Sequence, residues 1–271
     1  MRKITKNQIE ALGNLLDLSD RVALITGGAQ GNGLAIAKCL SEAGAISIAA
    51  DIQFENLKGI SDEEIKSDVI KTYIDVSDED SIQYCVQEIE RNFGRLDILV
   101  NNAGIMYKSL IDEIDIYQWK KVLDINLTGA TTCTKAVTPI MKKNHWGRIV
   151  NISSTQSFLH TPTYSAYAAS KAALSHLTKI WATELAPFGI NVNALCPGYV
   201  LTPMMERSIV KRQKEEQISR KEAIRSFVEH IPQKRILDPE EVGKWTLVLC
   251  SELSNSITGA NISLSGGWVM H

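Results

Sequence analysis

Between Arg21 and Gly44 the chain changes character three times. Arg21-Val-Ala-Leu-Ile-Thr26 is a short apolar, β-prone run, and Gly27-Gly28-Ala29-Gln30-Gly31-Asn32-Gly33 follows with four glycines in seven residues. Leu34 to Ala43 then carries a helical pattern that stops at Gly44. An apolar run this brief, bounded by glycines, reads as a buried strand. Glycine just past a helix accepts the left-handed conformation that ends it. Strand, tight turn and helix in direct succession commit a chain to crossover units and a parallel sheet. They also build a phosphate cradle. Amides at the helix start point outward, the helix dipole favours an anion, and the missing side chains let a pyrophosphate approach.

The alternation continues. Ala45 to Ala50 forms a second strand ending in Asp51, with Ile52 beside it. A carboxylate there accepts hydrogen bonds from an adenosine ribose and repels a 2′-phosphate. No Arg or Lys occurs in the glycine turn, where Gln30 stands instead, so NAD is expected rather than NADP. Residues 52 to 69 are charged and poorly patterned, a weak helix with Gly59 inside. Ile70 to Ile74 is a third strand closed by Asp75-Val76, and Ser77 is placed to cap a helix running to Phe93. Leu96 to Val100 leads straight into Asn101-Asn102-Ala103-Gly104, small and amide residues suited to close contact with an adenine or ribose. A helix from about Tyr117 to Met141 holds Asn126 among apolar neighbours, where its amide must be hydrogen-bonded, bracing a bend or holding a water.

Gly147 to Ile152 reads as another buried strand, and Ser154 stands at its C-terminal edge, where parallel sheets place ligand-binding groups. Tyr167 and Lys171 are four apart on a helix over roughly 163–186, so they share one face. An ammonium beside a phenol favours the phenolate and is expected to lower the Tyr167 pKa toward working pH. Such a phenol exchanges a proton with a substrate oxygen. Strand Ile190 to Leu195 precedes Cys196-Pro197-Gly198-Tyr199-Val200-Leu201-Thr202, with Thr202 placed to bind a carboxamide such as that of nicotinamide. From Pro203 to Gln233 the chain is charged and helical over Glu206 to Glu229, a solvated outer face with Ile209, Ile218, Ile224, Phe227 and Val228 inside. Its place at the sheet's C-terminal edge suits a substrate lid. A last helix begins at Asp238-Pro239, and residues 257–264 give the final strand.

The 271 residues show no repeat or linker, and a net charge of −2 gives no electrostatic reason for nucleic acid or an anionic membrane as partner. Five cysteines stand far apart without metal-ligand spacing, the pattern of buried free thiols in a reducing cytoplasm, and no metal is expected. Residues 1–19 are a polar extension with a short amphipathic patch (Ile9, Leu12, Leu15, Leu16) and no secretory or membrane-spanning character. The expectation is α/β: a single-domain, Rossmann-like, doubly wound parallel sheet with helices on both faces over 20–271, and 203–233 as insertion.

The motifs, in order, are Thr26-Gly27-x-x-x-Gly31-x-Gly33, Asp75-Val76, Asn101-Asn102-Ala103-Gly104, Asn126, Ser154, Tyr167-x-x-x-Lys171 and Pro197-Gly198-x-Val200-x-Thr202. Over residues 20 to 268 this resembles the short-chain dehydrogenase/reductase family. The resemblance implies that Tyr167 is the general acid/base, that Ser154 binds the same substrate oxygen, and that Lys171 holds the nicotinamide ribose and tunes Tyr167. It implies a water positioned by Asn126, Gly27, Gly31 and Gly33 around the pyrophosphate, Asp51 on the ribose, Asp75-Val76 near adenine, and a dimer or tetramer through the two long helices carrying Asn126 and Tyr167. Departures from the family pattern are Asn32 between the second and third motif glycines, Asn191, Ser157 and Ser265. Ser157 and His160 are expected near the pocket mouth. The leading reading is an NAD-dependent dehydrogenase of a secondary alcohol in a polyol, sugar or sugar acid. The alternatives are a 3-oxoacyl thioester (or hydroxysteroid) reductase, which would ordinarily want NADP, and a non-catalytic dinucleotide sensor.

Overall fold

The computed structural model describes residues 13–57 and 59–270. Its centre is a seven-stranded parallel sheet of order β3-β2-β1-β4-β5-β6-β7. The strands are β1 (Val22–Thr26), β2 (Ile46–Asp51), β3 (Ile70–Tyr73), β4 (Ile98–Asn101), β5 (Gly147–Ile152), β6 (Ile190–Pro197) and β7 (Asn261–Leu264). Residues of β1, β4, β5 and β6 are buried throughout, as strands covered on both faces must be. One face packs α2 (Glu79–Phe93), α4 (Gly129–Asn144) and α5 (Ser165–Leu185) over Leu24, Leu99, Ile149 and Val192. The other packs α1 (Gly31–Glu42) and α8 (Pro239–Cys250) over Ile25, Val100, Val150 and Leu195. Strand order reverses between β1 and β4, which opens a crevice at their C-terminal ends.

Several elements differ from their expected form. α1 begins at Gly31, so the last glycines of the turn are its first helical residues. Among its described residues, the stretch 52–69 holds only a 3₁₀ turn, Ile52–Phe54, and one helical turn, Asp62–Ile65; it has no apolar stripe, and Gly59 is left-handed at φ 93°. Asp78, not Ser77, caps α2, accepting from the Asp80 amide at 3.0 Å. Ser77 instead donates its hydroxyl to Asp75 at 2.7 Å. The helix carrying Asn126 is continuous from α3 (Ile116–Leu123) into α4 through a π turn, Asp124–Thr128. Residues 206–229 divide into α6 (Pro203–Glu216) and α7 (Arg220–Val228). Gln217 turns left-handed at φ 53°, and Ser219 with Glu222 restarts the helix in a capping box. The expected inner face holds, with Ile209, Phe227 and Val228 buried and Ile218 and Ile224 packed against them. Asp238 caps α8 as expected, and Glu241 reaches back to its amide at 3.0 Å. Ile9 and Leu12 lie outside the described residues. Leu15 is exposed, and Leu18 is the residue buried under α1.

Candidate active site

A cavity of about 860 Å³ follows the C-terminal ends of the strands. Gly27, Gln30, Gly31, Asn32, Asp51, Ile52, Asp75 and Val76 line one end, and Asn102, Ala103 and Gly104 the middle. Ser154, Tyr167, Lys171, Pro197, Gly198, Val200 and Thr202 line the other. Three expected site residues stand behind this surface: Thr26, Gly33 and Asn126.

Thr26 and Gly33 shape the cradle. The Thr26 hydroxyl accepts from the amides of Asn102 and Ala103, both at 3.1 Å, and the Asn102 side chain donates to the carbonyls of Thr26 and Gly27 at 2.9 and 3.0 Å. The turn after β1 is thereby bolted to the turn after β4. A β-carbon on Gly33 would stand 2.1 Å from the Gly27 carbonyl oxygen, and one on Gly27, itself at φ 66°, would stand 2.8 Å from the Ala103 Cα. No side chain caps α1 at Gln30, so its first amides are left to a ligand. The Asn32 Oδ1 is buried in this cradle without a partner. Asp51, 7% exposed, is aimed by two amides: Ala29 donates to one carboxylate oxygen at 3.1 Å and Gln53 to the other at 2.9 Å. An uncapped helix start, a cradle that a β-carbon would fill and a carboxylate beyond it fit a dinucleotide.

At the opposite end, Tyr167 is half-buried and its phenol shares a hydrogen bond with Ser154. Ser154 also accepts from the Gln156 amide at 3.1 Å, which fixes its hydroxyl. The Lys171 ammonium donates to the Ile152 carbonyl at 2.7 Å and lies 5.8 Å from the Tyr167 ring centroid. Here the protein departs from the sequence expectation. Burial pushes the Tyr167 phenol up rather than down, with the Ser154 hydrogen bond pulling the other way. Burial also lowers Lys171 to about 8. Desolvation is the largest influence on both groups, and the ammonium is turned to a carbonyl rather than to the phenol. Asn126 proves to be a brace. Its Oδ1 accepts from the Ile105 amide at 2.8 Å, and its Nδ2 donates to the Ile105 carbonyl at 2.9 Å and to Ser170 at 3.1 Å. It ties the π turn to the loop after β4 and to α5. Thr202 caps α6, accepting from the Met205 amide at 3.4 Å, with its side chain on the cavity wall.

Ser157 and His160 do not line the cavity. The Ser157 hydroxyl turns inward to Ser153 Oγ and the Ser154 carbonyl, both at 2.7 Å, and His160 is exposed. The wall is built instead by Lys108, Tyr164, Tyr199, Arg212, Phe227 and Trp268. Tyr164 stands three residues before Tyr167, a spacing that places both on one helix edge. Tyr199, inside the Pro-Gly-x-Val motif, meets Trp268 at 4.8 Å between ring centroids and Phe227 at 5.4 Å. Nothing local in the sequence announces Trp268 there.

The charge state of Lys171 has a stability consequence. Lys171 holds its proton to the ordinary 10.5 when unfolded but releases it near 8 when folded. Between these values the unfolded chain binds more protons, so the Lys171 contribution to stability rises with pH and is a full cost below 8. Lys171→Met should therefore raise Tm at pH 7, by an amount equivalent to roughly 2 kcal/mol once the lost Ile152 bond is offset. Melts at pH 7 and pH 9.5 check this, and a gain that does not shrink at the higher pH would refute it.

A crevice at a reversal of strand order, an uncapped phosphate cradle and a buried Ser–Tyr–Lys group at the far end together define an oxidoreductase that uses a nicotinamide dinucleotide. A family model described as enoyl-(acyl carrier protein) reductase matches residues 27–269. The chain is 38% identical to the 3-oxoacyl-[acyl-carrier-protein] reductase of Thermotoga maritima over 93% of its own length and 99% of that protein's. It is 31% identical to an NAD-dependent glycerol dehydrogenase of Listeria innocua, over 94% and 96% of the two chains. Among solved structures it is similar to Thermoplasma acidophilum aldohexose dehydrogenase, with a TM-score of 0.83, 30% identity and coverage of 93% and 94%. The chain belongs to the short-chain dehydrogenase/reductase family. No helix among the described residues is long and apolar enough to cross a membrane.

Proposed function

We propose that this protein oxidises a secondary alcohol of a polyol, sugar or sugar acid with NAD. The observation that carries the reading is the pairing of Asp51 at one end of a single cavity with Ser154, Tyr167 and Lys171 at the other. Tyr167 takes the proton of the substrate hydroxyl, Ser154 holds the same oxygen, and Lys171, anchored on the Ile152 carbonyl, would face the ribose. Asn126 keeps the loop after β4 in place from the π turn. When bound, NAD accepts the hydride from the carbinol carbon. Gly27, Gln30, Gly31, Asn32 and Gly33 cradle the pyrophosphate, Asp51 and Ile52 the adenosine ribose, and Asp75 and Val76 the adenine. Thr26, Asn102, Ala103 and Gly104 support the middle of the dinucleotide, and Pro197, Gly198, Val200 and Thr202 its carboxamide end. The glycerol and aldohexose dehydrogenases among the similar proteins support the polyol and sugar classes.

In this reading residues 1–19 are an extension, 20–271 the catalytic domain and 203–233 a substrate-covering insertion, which packs through an apolar cluster of its own with Tyr199 and Trp268. The enzyme works in the cytoplasm, in keeping with its free thiols, as a dimer or tetramer through α4 and α5. A 3-oxoacyl thioester reductase is the second reading, favoured by the Thermotoga relative and opposed by Asp51.

The test is NAD reduction against polyols, sugars, sugar acids, hydroxysteroids and 3-hydroxyacyl thioesters. Turnover confined to thioesters, or none in any class while NAD binds, would sink the proposal. NAD should be favoured over NADP, and Asp51→Asn should cut the ratio of the two kcat/KM values at least ~10-fold by removing the charge that repels a 2′-phosphate. An unchanged ratio would show that Asp51 does not select the cofactor.

A further inference from the structure

The substrate end of the cavity is cationic. Beyond Lys171 it carries Lys108, Arg207, Lys211 and Arg212, with Glu215 as the one carboxylate on that wall. Lys211 is paired with Glu215 at 3.5 Å. Arg212 is held in place rather than neutralised in full. Its Nε faces Glu216 at 3.3 Å, Nη1 donates to Ser226 at 2.9 Å, and the guanidinium lies 4.3 Å over the Phe227 ring. Lys108 has no carboxylate partner among the described residues, and its ammonium rests 4.6 Å above the Tyr164 ring. Burial and the charges of Lys211 and Arg212 lower its proton affinity, with Glu215 acting the other way, which puts these groups within electrostatic reach of one another.

Lys108 comes from the loop after β4 and Arg212 from α6, and both line the same cavity. Like charges held near one another in one cavity are unfavourable unless an anion sits between them. We infer that the substrate carries a carboxylate, bound between Lys108 and Arg212. This rests on Tyr167 marking the reaction site. Tyr164 stands edge-on to Tyr167, 6.4 Å between centroids, and Lys108 covers its ring. One aromatic side chain thus separates the anion from the proton-exchanging phenol. The carboxylate is several bonds from the carbinol, as in a sugar acid, and not adjacent to it as in a 2-hydroxy acid. Glu215 on the same wall disfavours a phosphate dianion more than a singly charged carboxylate.

The test uses the full chain loaded with NADH and titration calorimetry with aldonates and uronates, each beside its uncharged alditol or methyl glycoside. At least one acid should bind roughly ten-fold or more tightly than its neutral counterpart, with the preference shrinking as salt rises. Lys108→Met and Arg212→Gln should each bring the acid toward the neutral level without changing NADH affinity. Equal binding of every pair, or a preference that survives both substitutions, overturns the inference. So does a sugar phosphate or an acyl thioester of coenzyme A that binds more tightly than any acid and loses affinity in the same variants. If neutral alcohols are oxidised without any acid preference, the reaction stands and the carboxylate site falls. If acids bind through Lys108 but no alcohol is oxidised, the reverse holds.

Discussion

Tyr167→Phe should lower kcat about 10²–10⁴-fold while NAD still binds, the range expected when one general acid–base group is removed. The phenol is hydrogen-bonded to Ser154, and Ser154 alone retains a hydroxyl but no group that accepts the proton. The same geometry sets the pH dependence. In the oxidative direction Tyr167 must be deprotonated, and burial holds its proton above the ordinary tyrosine range. Oxidation should therefore climb as pH rises into the alkaline range, and carbonyl reduction should fall. Steady-state rates in both directions, with NAD affinity measured by fluorescence quenching, separate chemistry from binding. A variant with near-normal kcat would remove Tyr167 from the mechanism.

The second large effect is steric. In Gly33→Ala the new methyl would stand 2.1 Å from the Gly27 carbonyl oxygen and 2.6 Å from the Asn102 side-chain nitrogen. Neither neighbour is free to retreat, because Asn102 is bonded to Thr26 and Gly27, and Gly27 is pressed against Ala103. Relief requires the turn and the start of α1 to part. The cost should reach about 3 kcal/mol, a fall in Tm of roughly 6–12 °C for a chain of this size, with loss of NAD binding. Gly94→Ala is the control. Nothing lies within 4 Å of its position, so only the left-handed φ of 70° is strained, costing about 1 kcal/mol with NAD affinity intact. Equal melts and equal NAD affinity for Gly33→Ala and the parent would refute the account.

The cradle, Asp51 at the end of β2, and the Tyr167–Lys171 pair were legible because each rests on near neighbours in the chain. Four glycines between a strand and a helix, or two side chains one helical turn apart, have little freedom in what they form. Element edges were less legible where two local devices competed. Asp78 displaced Ser77 as the cap, and the 206–229 helix broke at Gln217, a left-handed residue that is not glycine. Ser157 and His160 were expected at the pocket mouth, yet Ser157 turned inward to Ser153 and the Ser154 carbonyl.

The charge balance of the site came from the tertiary structure alone. Proximity of Lys171 to Tyr167 predicts a lowered phenol, but the depth at which α5 packs on β5 and β6 decides the direction, since desolvation grows with every covering residue. Lys108, Tyr164, Tyr199, Arg212 and Trp268 likewise meet only after the loop beyond β4, the start of α5, α6 and the C-terminal segment converge. Spacing along a chain determines what adjacent residues form together, whereas burial and long-range electrostatics depend on which distant segments are packed around them.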